Sequence, residues 1–207
     1  MQRSHLLAAA SRLAEGGGVA RAAPRSPRQA RKTRPDRLVS GIVGLCQRSG
    51  EKGGEETGPN PVDRGRPGSK RHLLVDGDGL PLSVILTGAN VHDSRVFEEL
   101  IEGVEPIRTP SGLPRRRPDK IHADKGYDFP RCRSTLRQRG IKERIARRGV
   151  DSSERLGRHR WVVKRTLAWL SCCRRLCVRY ERRADIHGAF LELGCALVCF
   201  NRLRRKF

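Results

Sequence analysis

Two short stretches of this chain contain residue types that could carry out phosphate chemistry. The first places Asp124 directly after a predicted strand over residues 120–123, in the run Ala-Asp-Lys-Gly-Tyr-Asp. The second is a predicted helix that starts near Arg158 and carries further cations at positions 160, 164 and 165. A carboxylate at a strand end can hold a hard divalent cation, and arginine and lysine bind phosphate. The pattern indicates phosphate chemistry, with turn capping as the alternative role of Asp124.

The charge of the whole chain points to polyanionic partners. Its 207 residues include 44 Lys and Arg against 22 Asp and Glu, for a formal net charge of +22. DNA or RNA fits such a surface because each neutralised phosphate releases counterions. A GC-rich genome that raises arginine content is the alternative explanation, and it is compatible with nucleic-acid binding.

Cysteine usage and hydropathy predict an intracellular protein without a membrane partner. The seven cysteines are odd in number and form no pair of C-x-x-C motifs at zinc-like spacing. We therefore expect buried, reduced thiols in a cytoplasmic protein. No apolar run approaches the roughly 18 residues that a transmembrane helix needs.

The order of predicted elements favours an α/β fold with a mixed sheet flanked by helices. A hairpin is followed by alternating helices and strands, and two long helices end the chain. Asp93 or Ser94 is the expected cap of the first helix. The predicted strands cover residues 70–75, 80–88, 120–123 and 141–146, and the predicted helices begin near Asp93 and cover residues 130–138, 158–172 and 184–203.

Apolar periodicity predicts the buried faces of the two long helices. In the first of them we expect Trp161 and Trp169 to face the core, which would leave few aromatic side chains for stacking on bases. The expected core stripe of the last helix consists of Ile186, Phe190, Leu193, Leu197 and Phe200.

The amino-terminal part of the chain lacks sustained periodicity. Residues 1–52 are interrupted by glycine and proline, and only residues 38–46 could form a strand. We expect an unstructured, basic or non-native segment over 1–52 and one folded domain over 53–207. The arginine-rich and acid-poor composition also fits an organellar transit peptide.

From about Gly53 onwards, several blocks in a fixed order resemble the transposases of bacterial insertion sequences of the insertion sequence 5 family. The likeness spans roughly three quarters of the chain. The blocks are residues 57–73 (TGPNPVDRGRPGSKRHL), 87–94 (TGANVHDS), 123–128 (ADKGYD), 156–161 (LGRHRW), and 174–176 with 179–182 (RRL and RYER).

The resemblance implies a ribonuclease-H-like fold with a DDE site, in which three carboxylates hold two Mg²⁺ or Mn²⁺ ions for metal-dependent cleavage and transfer of DNA strands. Asp124 matches the second carboxylate and is the expected metal ligand. The position of the third acid is occupied by Lys164, and that of the first by Gly44. Lysine repels a cation and glycine has no ligand atom, so we expect a degenerate and inactive site with doubtful metal binding.

The resemblance also implies that basic residues hold transposon ends, while a solvated helix face is the alternative role of Arg160. A homodimer on DNA and association with the bacterial nucleoid are expected with it. The expected DNA-binding residues are Lys70, Arg71, His72, Arg158, Arg160 and Arg165.

Three functions remain open from the sequence. An active transposase would need Asp76, Glu154 or Glu181 to replace the missing acids. A catalytically dead relative would only bind DNA, and a basic RNA- or ribosome-associated protein is supported by charge alone. A frameshift would explain the loss of the first acid, because residues 44–52 can be back-translated so that another frame reads Asp-Ser-Val-Ser.

Overall fold

A mixed six-stranded sheet forms the centre of the protein. The computed structural model describes residues 40–49, 53–108, 114–150 and 153–204. The eight strands, six of them in this sheet, are β1 (Ser40–Ser49), β2 (Gly58–Pro59), β3 (Pro67–Val75), β4 (Pro81–Gly88), β5 (Ile107–Arg108), β6 (Pro114–Arg115), β7 (Lys120–Ala123) and β8 (Lys142–Ile145).

The sheet has an antiparallel half and a parallel half that meet at β1. On one side β1 pairs antiparallel with β3, and β3 in turn pairs antiparallel with β4 and β2. On the other side β1 pairs parallel with β7, and β7 pairs parallel with β8. The short strands β5 and β6 form a separate ribbon. The α/β class and the mixed sheet expected from the sequence are confirmed.

Within the described residues, five α-helices pack around the sheet. They are α1 (Phe97–Glu102), α2 (Pro130–Gln138), α3 (Ser153–Ser171), α4 (Arg174–Cys177) and α5 (Ala184–Arg204). A 3₁₀ helix over Asp93–Arg95 precedes α1, and its cap is His92, whose side chain accepts a hydrogen bond from the Ser94 N–H. The N-cap of α1 itself is Val96, which makes no side-chain capping hydrogen bond, so the cap that we expected at Asp93 or Ser94 is not formed. A second 3₁₀ helix covers Lys125–Tyr127.

β1 lies upstream of the domain boundary predicted at residue 53. Its side chain at Val43 is 2% exposed and belongs to the core, and the strand separates β3 from β7. The sheet therefore includes the one stretch within residues 1–52 that the sequence allowed as a strand. Residues 1–39 lie outside the described part of the chain, so the expectation for them is not addressed by the structure.

Side chains alternate along β3 and divide the core into two clusters. Leu74 faces one cluster with Phe97, Leu100 and Tyr127, beneath α1 and α2. The neighbouring Leu73 and Val75 face the other cluster, which contains side chains of α3 and α5. Because successive residues of a strand point to opposite faces, a single central strand supplies both layers.

Two of the predicted helix faces are turned away from the core. Trp161 is 52% and Trp169 38% exposed, because α3 packs on the sheet through Val162, Val163 and Leu170. In α5 the predicted stripe lies largely outside, with Leu193 58% exposed. The buried face of α5 instead contains His187, Leu191, Gly194, Cys195 and Cys199.

α5 is also the helix that, within the described residues, is long and apolar enough to cross a membrane by length and composition, with a mean hydropathy of 1.3. In this fold its inner face packs against α4, β4 and α3, and Leu191 and Cys195 are buried in the core. A core helix of a globular domain passes the same test, so the finding is weak evidence for a membrane span. Of the described cysteines, Cys132, Cys195 and Cys199 are buried and Cys172 and Cys177 are exposed, all as free thiols.

Candidate functional site

Asp124 stands at the end of β7, where the sequence placed it. Its Oδ1 accepts a hydrogen bond of 2.9 Å from the Gly126 N–H and so caps the short helix that follows. This is the capping role that a turn aspartate would have. The remaining carboxylate oxygen, Oδ2, is oriented towards α3.

The partner of Asp124 on α3 is Arg160. The Arg160 Nη2 lies 3.3 Å from Asp124 Oδ2, with the arginine side chain 41% and the aspartate side chain 27% exposed. Lys164 follows one helical turn later and is exposed to solvent. Residues four apart lie on the same helix face, so the cationic side chains of positions 160 and 164 share the side of α3 that borders Asp124.

Gly44 occupies the strand next to Asp124. β1 and β7 pair in parallel with Ile42 opposite His122, and Gly44 and Asp124 each lie two residues farther along the chain. A Cβ built on Gly44 would lie 2.6 Å from Cγ1 and 2.8 Å from Cγ2 of Val163. The space that a first carboxylate would need is therefore filled by a valine of α3.

Another acidic residue, Asp93, lies beside the loop of Asp124. A Cβ built on Gly126 would be 2.9 Å from Asp124 Oδ1 and 3.4 Å from Asp93 Oδ2, so this glycine separates the two acids. The other oxygen of Asp93 accepts a hydrogen bond of 3.1 Å from Lys70 Nζ, which also donates to the Val91 carbonyl at 2.9 Å. From the sequence, Asp93 was expected only as a helix cap and not as a site residue, although it belongs to the His-Asp-Ser block of the resemblance.

The interior next to these acids is strongly apolar. Burial raises the pKa of Tyr127 well above its ordinary value, and the charges of Asp93 and Asp124 raise it further. Burial also lowers the pKa of His72 to about 4, against the opposing effect of Asp93. Tyr127 and His72 are therefore neutral at physiological pH.

The residues present do not fit a two-metal site. A hard divalent cation needs several oxygen ligands, and two such ions need carboxylates that bridge them. Asp124 has one oxygen on a backbone N–H and the other on an arginine. The two positions at which the resemblance implies further acids hold Gly44 and Lys164. Within the described ranges, no group of three or more His, Cys, Asp or Glu side chains is arranged to hold a metal ion.

The acids considered as replacements are engaged elsewhere. Asp76 is 1% exposed and caps its own turn by accepting from the N–H groups of Asp78 and Leu80. Glu181 pairs with Arg175 at 3.1 Å and with His187 at 3.1 Å. Burial would raise the pKa of Glu181, but its hydrogen bond with His187 keeps the pKa below the ordinary value. The side chain of Glu154 lies outside the described part.

Three of the expected DNA-contacting residues lie in the interior, which corrects that expectation. Lys70, Arg71 and His72 are 7%, 1% and 0% exposed on the central strand β3. Arg71 donates to the Leu176 carbonyl, and His72 shares a hydrogen bond of 2.9 Å with Thr87. Their positive charges predicted that they lie on the protein surface, but both faces of β3 are covered by other elements.

Of the remaining expected contacts, Arg160 and Arg165 are accessible, and the side chain of Arg158 lies outside the described part. Arg165 stacks between two indoles of its own helix, with its guanidinium carbon 4.6 Å from the Trp161 ring and 4.8 Å from the Trp169 ring. It also donates to the Asp78 carbonyl at 2.7 Å. This stacking, worth about 0.5–1 kcal/mol per contact at an exposed site, is a contact between side chains on the outer face of α3.

Comparison with known proteins identifies the lineage of this site. A family model described as "Transposase DDE domain" matches residues 40–199. A relative from Burkholderia cepacia, named "Putative transposase for insertion sequence element IS402", is 50% identical over 200 residues, which is 97% of this chain and 95% of the relative. That alignment therefore also includes most of residues 1–39.

A solved structure with partial similarity is a chain of the simian T-cell lymphotropic virus intasome in complex with PP2A regulatory subunit B56 gamma. It has a TM-score of 0.41 and 12% identity, covering 77% of this chain and 49% of that chain, about half of its length. A likeness at that level carries no argument about fold or function. The family match over residues 40–199 and the 50% identical relative show that this chain belongs to the DDE transposases of bacterial insertion sequences.

Proposed function

We propose that this member of the transposase family binds DNA and does not cut it. The observation that carries the proposal is the ion pair between Arg160 and Asp124, at 3.3 Å. This ion pair engages Asp124, the one acid of the triad that is present, while the other two positions hold Gly44 and Lys164. In-line attack on a phosphodiester by metal-activated water needs the missing ligands. The chain therefore belongs to a family of DNA-cleaving enzymes but lacks the residues for cleavage.

The finer lineage is the insertion sequence 5 family, with a ribonuclease-H-like core. The support is the block pattern in the sequence together with the parallel strands β1, β7 and β8 beside the antiparallel pair β3 and β4. We place the start of this core at Ser40 rather than at residue 53, since β1 lies inside the sheet. The frameshift hypothesis for residues 44–52 remains part of the proposal, and it would have to account for the aligned relative as well.

DNA binding is supported by cations that are accessible on one side of α3. Arg160, Lys164 and Arg165 share two successive turns, next to two exposed indoles. Such a face can bind along a phosphate backbone. Its electrostatic attraction for the phosphates extends over a distance that shortens as the ionic strength rises. Association with the nucleoid follows if this binding occurs in the cell.

Pairing of two copies on DNA is a further part of the proposal. The outer face of α5 carries Ile186, Leu193, Leu197 and Phe200, each at least 41% exposed. Beside it lies a groove of about 310 Å³ lined by Trp169, Leu197 and Val198 among others. Sedimentation equilibrium of the full chain, with and without DNA, tests this part separately.

The central experiment measures cleavage and binding with the same DNA. A duplex carrying the terminal repeats that neighbour the gene is incubated with the full chain and Mg²⁺ or Mn²⁺, with Asp124→Ala as the matched control. We expect binding that weakens at high salt and no nicking, and we expect the single change Lys164→Glu not to restore nicking. Cleavage that disappears in Asp124→Ala would overturn the proposal.

A basic RNA-binding protein is the second candidate, supported by the same charge. Competition distinguishes the two: unlabelled RNA of equal length and sequence is added to the DNA complex. RNA that displaces DNA at a much lower concentration than DNA itself would favour the second candidate.

A further inference from the structure

The charge at the end of β7 has the opposite sign to that of an acidic metal site. Asp124 contributes one negative charge, whereas Arg160 and Lys164 contribute two positive charges on adjacent turns of α3. Both oxygens of Asp124 already have partners, the Gly126 N–H and the Arg160 guanidinium. Asp93, beside the same loop, is balanced by its ion pair with Lys70, so the local sum is positive before any metal ion binds.

We propose that Arg160 and Lys164 form a direct site for a DNA phosphate that needs no divalent cation. This inference rests on the proposed DNA binding. It adds that these two residues bind the phosphate and that the contact does not depend on a metal ion. In an all-carboxylate site a cation must stand between protein and phosphate, because the two carry the same charge. Here ammonium and guanidinium groups occupy the side of α3 that borders Asp124.

The donors needed for such a site are available. A guanidinium has five N–H donors, and the contact with Asp124 uses the Nη2 end of Arg160, which leaves donors for a phosphate oxygen. The Arg160 side chain is 41% exposed and Lys164 is also exposed, so both can be reached from solvent. Asp124 then orients the arginine rather than coordinating a metal.

The arrangement has a consequence for the role of magnesium. In a carboxylate site Mg²⁺ joins protein to DNA, and removing it weakens the complex. In this chain Mg²⁺ acts as a competing counterion of the phosphates, since Asp124 is already paired with Arg160 and the neighbouring Asp93 with Lys70. DNA affinity at constant ionic strength should therefore be no higher in Mg²⁺ than in EDTA, and lower if Mg²⁺ competes for the phosphates.

The test uses fluorescence anisotropy with the full chain and a labelled DNA duplex, in EDTA and in Mg²⁺ at matched ionic strength. Lys164→Gln removes one positive charge, and Lys142→Gln is the matched control, because Lys142 is also an exposed lysine but lies on β8. We expect Lys164→Gln to weaken binding several-fold and to lower the salt slope by about one. Lys164→Glu should weaken it further, and Lys142→Gln should change it less than twofold.

Thermal unfolding of each variant verifies that the fold is retained, which is expected for exposed side chains. Equal losses for Lys164→Gln and Lys142→Gln would overturn the inference and leave the proposed DNA binding intact. The same holds if DNA binding requires Mg²⁺ and is lost in EDTA. A wild-type chain that binds no DNA at all would overturn the inference together with the proposed function.

Discussion

The methyl groups of Val163 fill the space that a side chain at position 44 would occupy. The built Cβ at Gly44 lies 2.6 Å from Val163 Cγ1, which is closer than real side-chain contacts allow. Val163 is itself 2% exposed and belongs to the core beneath α3. A side chain at position 44, where the resemblance places the first carboxylate, therefore has no room against α3.

Restoring the acids alone should consequently fail. In the double variant Gly44→Asp with Lys164→Glu, overpacking against Val163 should cost about 1–3 kcal/mol and leave Mn²⁺ binding weak. Adding Val163→Ala makes room, so the triple variant should recover stability and bind Mn²⁺ more tightly. Calorimetric titration with Mn²⁺ and thermal unfolding are the two measurements. Equal Mn²⁺ affinity in the double and triple variants would show that Val163 is not the obstacle.

Arg179 should be one of the residues on which folding depends most. It is 1% exposed, and its guanidinium donates to the Glu56 and Glu181 carbonyls, each at 2.9 Å, and to Ser69 Oγ. These bonds join the segment before β2 to the segment after α4. Lysine has fewer donors in a different geometry, so Arg179→Lys should lower the free energy of unfolding by about 3 kcal/mol.

The control for this prediction is Arg182→Lys, at an exposed arginine nearby, which should stay within about 0.5 kcal/mol of wild type. Denaturant unfolding of both variants supplies the values. Similar losses in the two variants would mean that the hydrogen bonds of Arg179 contribute little.

Stability should fall with decreasing pH because of His72. Burial lowers its pKa from 6.5 to about 4, so between these values the unfolded chain binds a proton that the folded chain does not. Stability is therefore fully present above pH 6.5 and decreases by up to about 3 kcal/mol as the pH falls towards 4. The pKa of His187 is also lowered by burial, which acts in the same direction.

The variant His72→Gln keeps a hydrogen-bonding group for Thr87 but cannot titrate. Its free energy of unfolding should vary less between pH 6.5 and 4 than that of the wild type, whatever its value at pH 7.5. Urea unfolding at a series of pH values measures both slopes. Parallel curves would assign the acid sensitivity to other groups.

Leu191 and Leu193 provide a direct comparison of the two faces of α5. Leu191 is 1% exposed in the core beneath the sheet, whereas Leu193 is 58% exposed. Leu191→Ala should cost about 2–5 kcal/mol because it creates a cavity, and Leu193→Ala should change stability by no more than about 0.5 kcal/mol. Chemical denaturation of the two alanine variants decides this. A larger loss at position 193 would reverse the assignment of the buried face.

Local patterns made much of the secondary structure predictable. The turn residues 76–79 between two apolar runs gave the hairpin of β3 and β4, and helix α2 was predicted at Pro130–Gln138, where it is observed. Periodicity also located α5 within one residue at its carboxyl end. It misassigned the buried stripe, because the covered side of this helix consists mainly of His187, Gly194, Cys195 and Cys199, whereas most of its large apolar side chains lie on the other side. Only packing against the sheet decides which side is covered.

The sequence by itself determined the transposase lineage, which the family match bears out. It also fixed which residues stand at the positions that the resemblance assigns to the three acids, namely Gly44, Asp124 and Lys164, since this follows from residue identity alone. The tertiary structure decided what those residues can do. It brought Arg160 to 3.3 Å from Asp124 and placed Asp93 beside Gly126. It also buried Lys70, Arg71 and His72, which we had expected on the protein surface because of their positive charges. Such relationships depend on packing between segments far apart in the chain, and no local spacing encodes them.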